Sequence, residues 1–270
     1  MKRCVTFTAL TMSAVMIAAS LTGCGGNTKT TSTSGTAAAT TATTKVLNID
    51  APEMPDFVVP GANGSRNSKP LGFQFEKPAV GEEIVVLTTD YGKIRLRLFA
   101  DEAPIAVANF LALVKGGYYD GLIFHRIITD FMIQSGDPLG NGTGGKSVWG
   151  DPFILETNAN LLNFRGALAM ANSGPNQTNG SQFYIVQTPK TAVKDDDVKN
   201  LSKETAALYK EKGGKPYLDG GYTVFGQAFA EDLKAVDEIA KLQVSGSGES
   251  GTPSKTVVLK SAKVEKYDGK

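Results

Sequence analysis

Polar and apolar positions alternate strictly in KIRLRL, residues 93–98, where Ile94, Leu96 and Leu98 are interleaved with Lys93, Arg95 and Arg97. A period of two belongs to a strand with one buried face and one wet face. The run EIVVLTT precedes it, and Asp90-Tyr91-Gly92 lies between, so the two segments predict a β-hairpin. In DEAPIAVANFLALVKGG the period changes: Ile105, Ala108, Phe110, Leu111 and Val114 fall near helical spacing. Asp101 can cap this helix, Pro104 suits its first turn, and Gly116-Gly117 stop it. Short apolar strand candidates then recur between glycine-rich turns, at 122–128, 131–135, 153–155, 166–170, 182–187 and 222–229. EDLKAVDEIAKL, 231–242, places Leu233, Val236, Ile239, Ala240 and Leu242 on one helical face, and KTVVLKSAKVEKY gives a final strand. Many short strands with two helices predict a mainly β fold, a closed barrel with helical plugs. The polar segment of about 190–215 reads as a surface insertion carrying a short helix.

The first 70 residues have a different texture. Lys2 and Arg3 precede an apolar stretch from about Val5 to Leu21, too short for a membrane span and charged on its leading side. It ends in Leu21-Thr22-Gly23-Cys24, which resembles a bacterial lipobox; residues 1–23 are expected to be a lipoprotein signal peptide and Cys24 the lipidated first residue. Of residues 28–44, 15 of 17 are Thr, Ser or Ala, and Pro52, Pro55, Pro60 and Pro70 follow among Gly and Asn. Residues 24–70 therefore read as a flexible linker. A coil of 47 residues spans roughly 35–40 Å, enough to hold a domain of residues 71–270 clear of a membrane.

Composition mainly removes possibilities. The formal charge of +1 gives no footing for nucleic acid, which asks for a basic face. The two cysteines are Cys4, inside the leader, and Cys24, so the folded part has no thiol for a disulfide, a nucleophile or a thiolate metal site. With His125 the sole histidine, a Cys/His zinc site is excluded as well. GNGTGGKS, 140–147, matches the phosphate-loop pattern, but Gly136-Asp137-Pro138 before it and Asp151-Pro152 after it leave no strand–loop–helix context. It reads as a tight loop. Asp195-Asp196-Asp197 lacks the spacing of a calcium loop and reads as an acidic helix start. No nucleophile elbow accompanies His125, which reads as a structural residue.

What remains is polar and without a nucleophile or titrating base: Arg126, Gln134, Asn172 and Gln182, with the aromatic residues Phe131, Tyr184, Tyr217 and Tyr222. FHRIITDFMIQSGD, GTGGKS, LAMANSGPNQTNGSQFYI and YLDGGYTVFG resemble, in order and spacing, the signature blocks of the cyclophilin-type peptidyl-prolyl isomerases, over about residues 82 to 267. The resemblance implies an eight-stranded antiparallel barrel with a helix at each end and catalysis of X–Pro cis–trans isomerisation without cofactor or metal. It implies Arg126 as the catalytic residue and Gln134 as its orienting neighbour. Phe131, Met132, Tyr184 and Leu218 match the proline pocket. Ala171, Asn172 and Ser173 match the segment whose backbone binds the peptide ahead of proline, with Gln182 and Gly142 on neighbouring contacts. Tyr217 stands where many members have Trp and Tyr222 where His often follows, so the rim is altered. SGPNQTNGSQ is one residue longer than the common block.

The combined expectation is a monomeric extracytoplasmic isomerase that acts on proline-containing polypeptides and is anchored to the cell membrane through lipid, including palmitate, at Cys24. The alternatives are a proline-peptide binding or chaperone module with little catalysis, and a surface-complex component docking through 190–215.

Overall fold

A computed structural model of the chain describes residues 4–8, 46–56, 69–174, 178–242, 244–245 and 251–270. β1 (Cys4–Thr8) and β2 (Val46–Asp50) form a separate antiparallel pair, with Cys4 opposite Asp50. Cys24 and most of the expected leader and linker lie outside the described residues. Part of the expected linker packs on the domain. Ile49 is buried beside Gly116, where a Cβ would stand 2.6 Å from its Cγ1, and the Trp149 indole donates to the Pro52 carbonyl at 2.7 Å.

The hairpin predicted from alternation is β3 (Glu83–Thr89) and β4 (Gly92–Leu98). α1 (Pro104–Lys115) begins at Pro104 as expected, but Asp101 does not cap it. Glu156 does so from a distant loop, accepting from the Ile105 and Ala106 amides at 3.2 and 2.8 Å. A buried carboxylate satisfies two orphan donors and faces the positive end of the helix. Phe110 of α1 plugs the interior, its ring within 5.2–5.5 Å of Tyr119, Phe183 and Phe225.

β5 (Arg126–Ile128), β6 (Met132–Ser135), β7 (Ala167–Met170) and β8 (Phe183–Val186) follow. The strand expected at 153–155 is not one; Phe153 makes a single bridge to Asn179. The insertion holds α2 (Asp195–Val198), whose start is the acidic triplet, and α3 (Lys203–Lys212). β9 (Val224–Ala228) and α4 (Leu233–Ala240) follow, then the short hairpin of β10 (Val244–Ser245) and β11 (Thr252–Pro253), and β12 (Leu259–Lys266). α4 buries Ala235, Val236, Ile239 and Ala240.

Eight strands form one antiparallel sheet in the order β12-β3-β4-β9-β7-β8-β6-β5. The expected closed barrel is corrected to an open, strongly curved sheet. Among the described residues no ladder joins β5 to β12; the seam carries one bridge there, Ile123 to Val258, with the Phe124 and Leu259 amides donating to Val257 and Leu122 at 3.0 and 2.8 Å. The cause is a segment distant in sequence: the Ile127 amide donates to the Gly251 carbonyl at 2.7 Å, so the chain just before β11 covers the β5 edge.

Candidate functional site

Cross-strand register places Arg126 opposite Gln134, Gln134 opposite Tyr184, and Tyr184 opposite Ala169. Side chains alternate across a strand, so these four share a face, and Ile127, Ile133, Ile185 and Leu168 point the other way into the interior. Beside the row lies a second, Ile128–Met132–Val186. Tyr184 and Ala169 of the first row and all of the second join Leu218, Val224, Leu161 and Phe99 in an apolar cluster separate from the main core, with Phe131, Ala171 and Tyr222 packed at its margin.

The polar members are chained. Arg126 Nη1 donates to Gln134 Oε1 at 3.2 Å, and Gln134 Nε2 donates to Gln182 Oε1 at 2.8 Å. Gln182 Nε2 in turn donates to the Gly142 and Gly144 carbonyls at 3.0 and 2.7 Å. Each amide spends its oxygen on one neighbour and its nitrogen on the next, so the order of donors is fixed. The glycine loop that mimics a phosphate loop serves as the end stop. It wraps the buried carboxylate of Asp137, which accepts from the Leu139, Asn141 and Gly142 amides at 2.8, 3.0 and 2.6 Å. The Asn141 and Gly142 amides of the loop are thus turned inward onto its own carboxylate.

Phe131 is aimed by the turn between β5 and β6. Asp130 holds φ = 57°, a left-handed conformation that Asp tolerates better than most residues. Its amide donates to Gln187 Oε1 at 2.9 Å and its carbonyl accepts from Thr188 Oγ1 at 2.9 Å. The Phe131 ring lies 6.1 Å from Tyr217, and Lys215 Nζ sits 5.8 Å from its centroid. Tyr217 is 68% exposed while Leu218 beside it is buried. Tyr222 packs edge-on against Tyr184 at 5.6 Å. The Ala171 amide donates to the Gln182 carbonyl at 3.0 Å, Asn172 Nδ2 donates to the Gly221 carbonyl at 3.0 Å, and Ser173 is exposed. Register, packing and hydrogen bonds thus link Arg126, Gln134, Gln182, Gly142, Met132 and Tyr184 into one face, with Phe131, Ala171, Leu218 and Tyr222 packed on its apolar part. Residues 175–177 of the lengthened loop lie outside the described residues.

His125 departs from expectation in one respect. It is buried, as a structural residue would be, yet neither ring nitrogen has a hydrogen-bond partner among the described residues. Burial pushes the imidazole below its ordinary pKa; Asp137 opposes this, Arg126 adds to it, and Gln182 opposes it weakly without a hydrogen bond of normal geometry. The neutral ring is the favoured form. Sequence reasoning missed Asn163, Tyr209 and Asp219, which lie behind the pocket. A recess of about 250 Å³ lined in part by Phe75, Arg97, Arg165 and Phe229 contains none of the expected site residues.

The family model for cyclophilin type peptidyl-prolyl cis-trans isomerases matches residues 84–264. The chain belongs to that family. The cyclophilin is 44% identical over 188 residues to a Staphylococcus aureus protein provisionally named peptidyl-prolyl cis-trans isomerase, a match spanning 68% of this chain and 93% of that one. It is 48% identical over 183 residues to a Streptococcus pyogenes protein provisionally named bifunctional phosphatase/peptidyl-prolyl cis-trans isomerase. That match covers 67% of this chain and only 38% of the streptococcal protein. A Cryptosporidium parvum cyclophilin crystallised in the presence of the dipeptide Ala-Pro superposes with a TM-score of 0.52 at 33% identity, covering 67% of this chain and 98% of the other.

Proposed function

We propose that this cyclophilin-type peptidyl-prolyl cis-trans isomerase acts on extracytoplasmic polypeptides, with Arg126 as its catalytic residue and the Met132–Tyr184–Leu218 cluster as its proline pocket. The observation that carries the mechanism is the register of β5, β6 and β8, which sets a half-buried guanidinium beside an apolar pocket and ties it to Gln134.

Peptide resonance sets a barrier of about 18–20 kcal/mol, and X–Pro exchange without help takes tens to hundreds of seconds. At the top of that barrier the C–N bond is twisted and a lone pair is localised on the prolyl nitrogen. A guanidinium donating to that nitrogen gains a hydrogen bond the planar ground states cannot offer, and such differential binding lowers the barrier. One preorganised donor of this type is worth about 3–4 kcal/mol. The Gln134–Gln182–Gly144 chain holds the donor so that little reorganisation is needed. The pocket grips the proline ring, and the backbone at Ala171–Ser173 holds the preceding peptide, leaving rotation about one bond. A lysine would lack the planar fork that Gln134 orients.

The extracytoplasmic setting rests on the leader pattern and Cys24. A lipid on that residue, followed by the Thr/Ser/Ala-rich tether, would hold the domain near the membrane where chains emerge unfolded. Cleavage before Cys24 would also remove β1, leaving the β2 edge unpaired. Mass spectrometry of the native N-terminus tests the anchor; an unmodified Cys24 or an intact leader would overturn it. A protease-coupled assay on proline peptides tests the reaction, and an Arg126→Ala rate equal to wild type would overturn the assigned role.

A further inference from the structure

The insertion between β8 and β9 ends on Gly213-Gly214, and the chain passes from there into Pro216–Leu218, the 3-10 turn bearing Tyr217 and Leu218. Gly214 has φ = 129°, and a Cβ there would stand 2.5 Å from the Asn163 carbonyl and 2.6 Å from Phe164 Cα. The insertion is thus pressed onto the segment behind the pocket. The two share a small core, Leu162 and Phe164 from that segment with Val193, Val198 and Tyr209 from the insertion, and Tyr209 stacks on Phe164 at 4.2 Å between centroids.

From that core a hydrogen-bonded chain runs to the pocket. The Tyr209 hydroxyl donates to Asp219 Oδ2 at 2.6 Å. Asp219 Oδ1 accepts from the Asn163 amide at 2.8 Å and from Asn163 Nδ2 at 3.0 Å. Asn163 Oδ1 then accepts from the Tyr184 hydroxyl at 2.8 Å. With its Nδ2 committed to Asp219, Asn163 can present only its oxygen to Tyr184, so the carboxylate dictates where the Tyr184 ring sits. Tyr209 is fully buried and Tyr184 nearly so, and buried polar networks of this kind act as units.

We propose that Tyr209, Asp219 and Asn163 are positioning residues for the proline pocket, and that the insertion exists to brace Tyr184 and Leu218 from behind. This deepens the isomerase reading and rests on it. The pocket holds the ring in ground and transition states alike, so loosening it removes uniform binding: KM rises while kcat is kept.

Tyr209→Phe in the full chain deletes one hydroxyl and keeps the stacked ring. Its KM for a proline tetrapeptide should rise roughly three- to tenfold, the size of one buried hydrogen bond, with kcat within about twofold. Tyr184→Phe should match it, and the double variant should add little, because both cuts break one chain. Burial raises the Asp219 carboxyl, while Tyr209 and Asn163 lower it; the ionisable groups facing it are Tyr209 from α3 and Tyr184 from β8. Removing the Tyr209 donor should therefore move the acid limb of kcat/KM to higher pH. An unchanged KM and acid limb, or fully additive single effects, would overturn the proposal even if the melting temperature falls. Equilibrium binding of the same peptide, measured alongside, separates the two readings. If wild type binds without turning over, the isomerase reading falls and the affinity ratio alone decides on the brace.

Discussion

Ile133 and Gln134 are neighbours in β6, and they belong to two different parts of the molecule. Ile133 lies with Ile127, Ile185 and Leu168 in a row without solvent exposure. Gln134 lies with Arg126 and Tyr184 in a row of named hydrogen bonds. The inner face is specified by volume and the outer by donor–acceptor order, and a slip of one residue would exchange them. The same short strands therefore serve as wall and as site. Rigidity comes to the site without cost because the wall behind it is close-packed.

The sharpest way to separate the faces is to cut each in turn. Ile133→Ala should lower stability by about 2–5 kcal/mol, the usual range for emptying a fully buried site. The molecules that remain folded should keep their turnover number, so denaturant midpoints fall while kcat per folded chain holds. Arg126→Ala should do the opposite. Its kcat should drop on the order of 10²–10³, with the denaturation midpoint nearly unmoved because the side chain is half-buried at the surface. A joint loss of stability and rate in either variant would break the division between faces.

That division was legible in part from sequence. KIRLRL announced its wet and dry faces, and the hairpin of β3 and β4 stands where its period placed it. Arg126, Gln134, Tyr184 and Met132 stand out because four blocks resemble a known family, and the register of β5, β6 and β8 brings these positions together. The open seam was invisible, because it depends on one long-range bond, from Ile127 to the Gly251 carbonyl. The cap of α1 was misplaced for a related reason: Asp101 is near in sequence, but Glu156 is near in space. Tyr209 and Asp219 were missed because a polar insertion with an acidic start looks like a solvated surface. Nothing local to either residue signals that the chain folds back onto the pocket.

A smaller effect tests how far the outer row acts through order rather than contact. Gln134→Ala removes the oxygen that accepts from Arg126 at 3.2 Å but keeps the guanidinium itself, now free to shift. A hydrogen bond to a charged group is worth about 1.5–3 kcal/mol, but only the misplacement of Arg126 reaches the reaction. A kcat loss of roughly five- to twentyfold, well short of that of Arg126→Ala, is the expected result in the same proline-peptide assay. A loss equal to that of Arg126→Ala would make Gln134 a partner in the chemistry and not its support.

The smallest effect concerns His125, which sits between the faces, beside Arg126 in sequence and buried with two nitrogens unpartnered among the described residues. Its folded pKa lies below the ordinary 6.5, chiefly because burial disfavours the imidazolium. The unfolded chain therefore takes up the proton first as the solution is acidified. Well above pH 6.5, the ordinary value, both states hold a neutral ring and the residue contributes no pH dependence. As pH falls from there toward the folded value, the unfolded state gains the proton and stability declines. Urea midpoints at pH 7 and pH 5 should drop further for wild type than for His125→Leu, whose side chain cannot titrate. Equal drops in the two proteins would mean that the imidazole accepts its proton within the fold, and the wall behind Arg126 would then carry a charge.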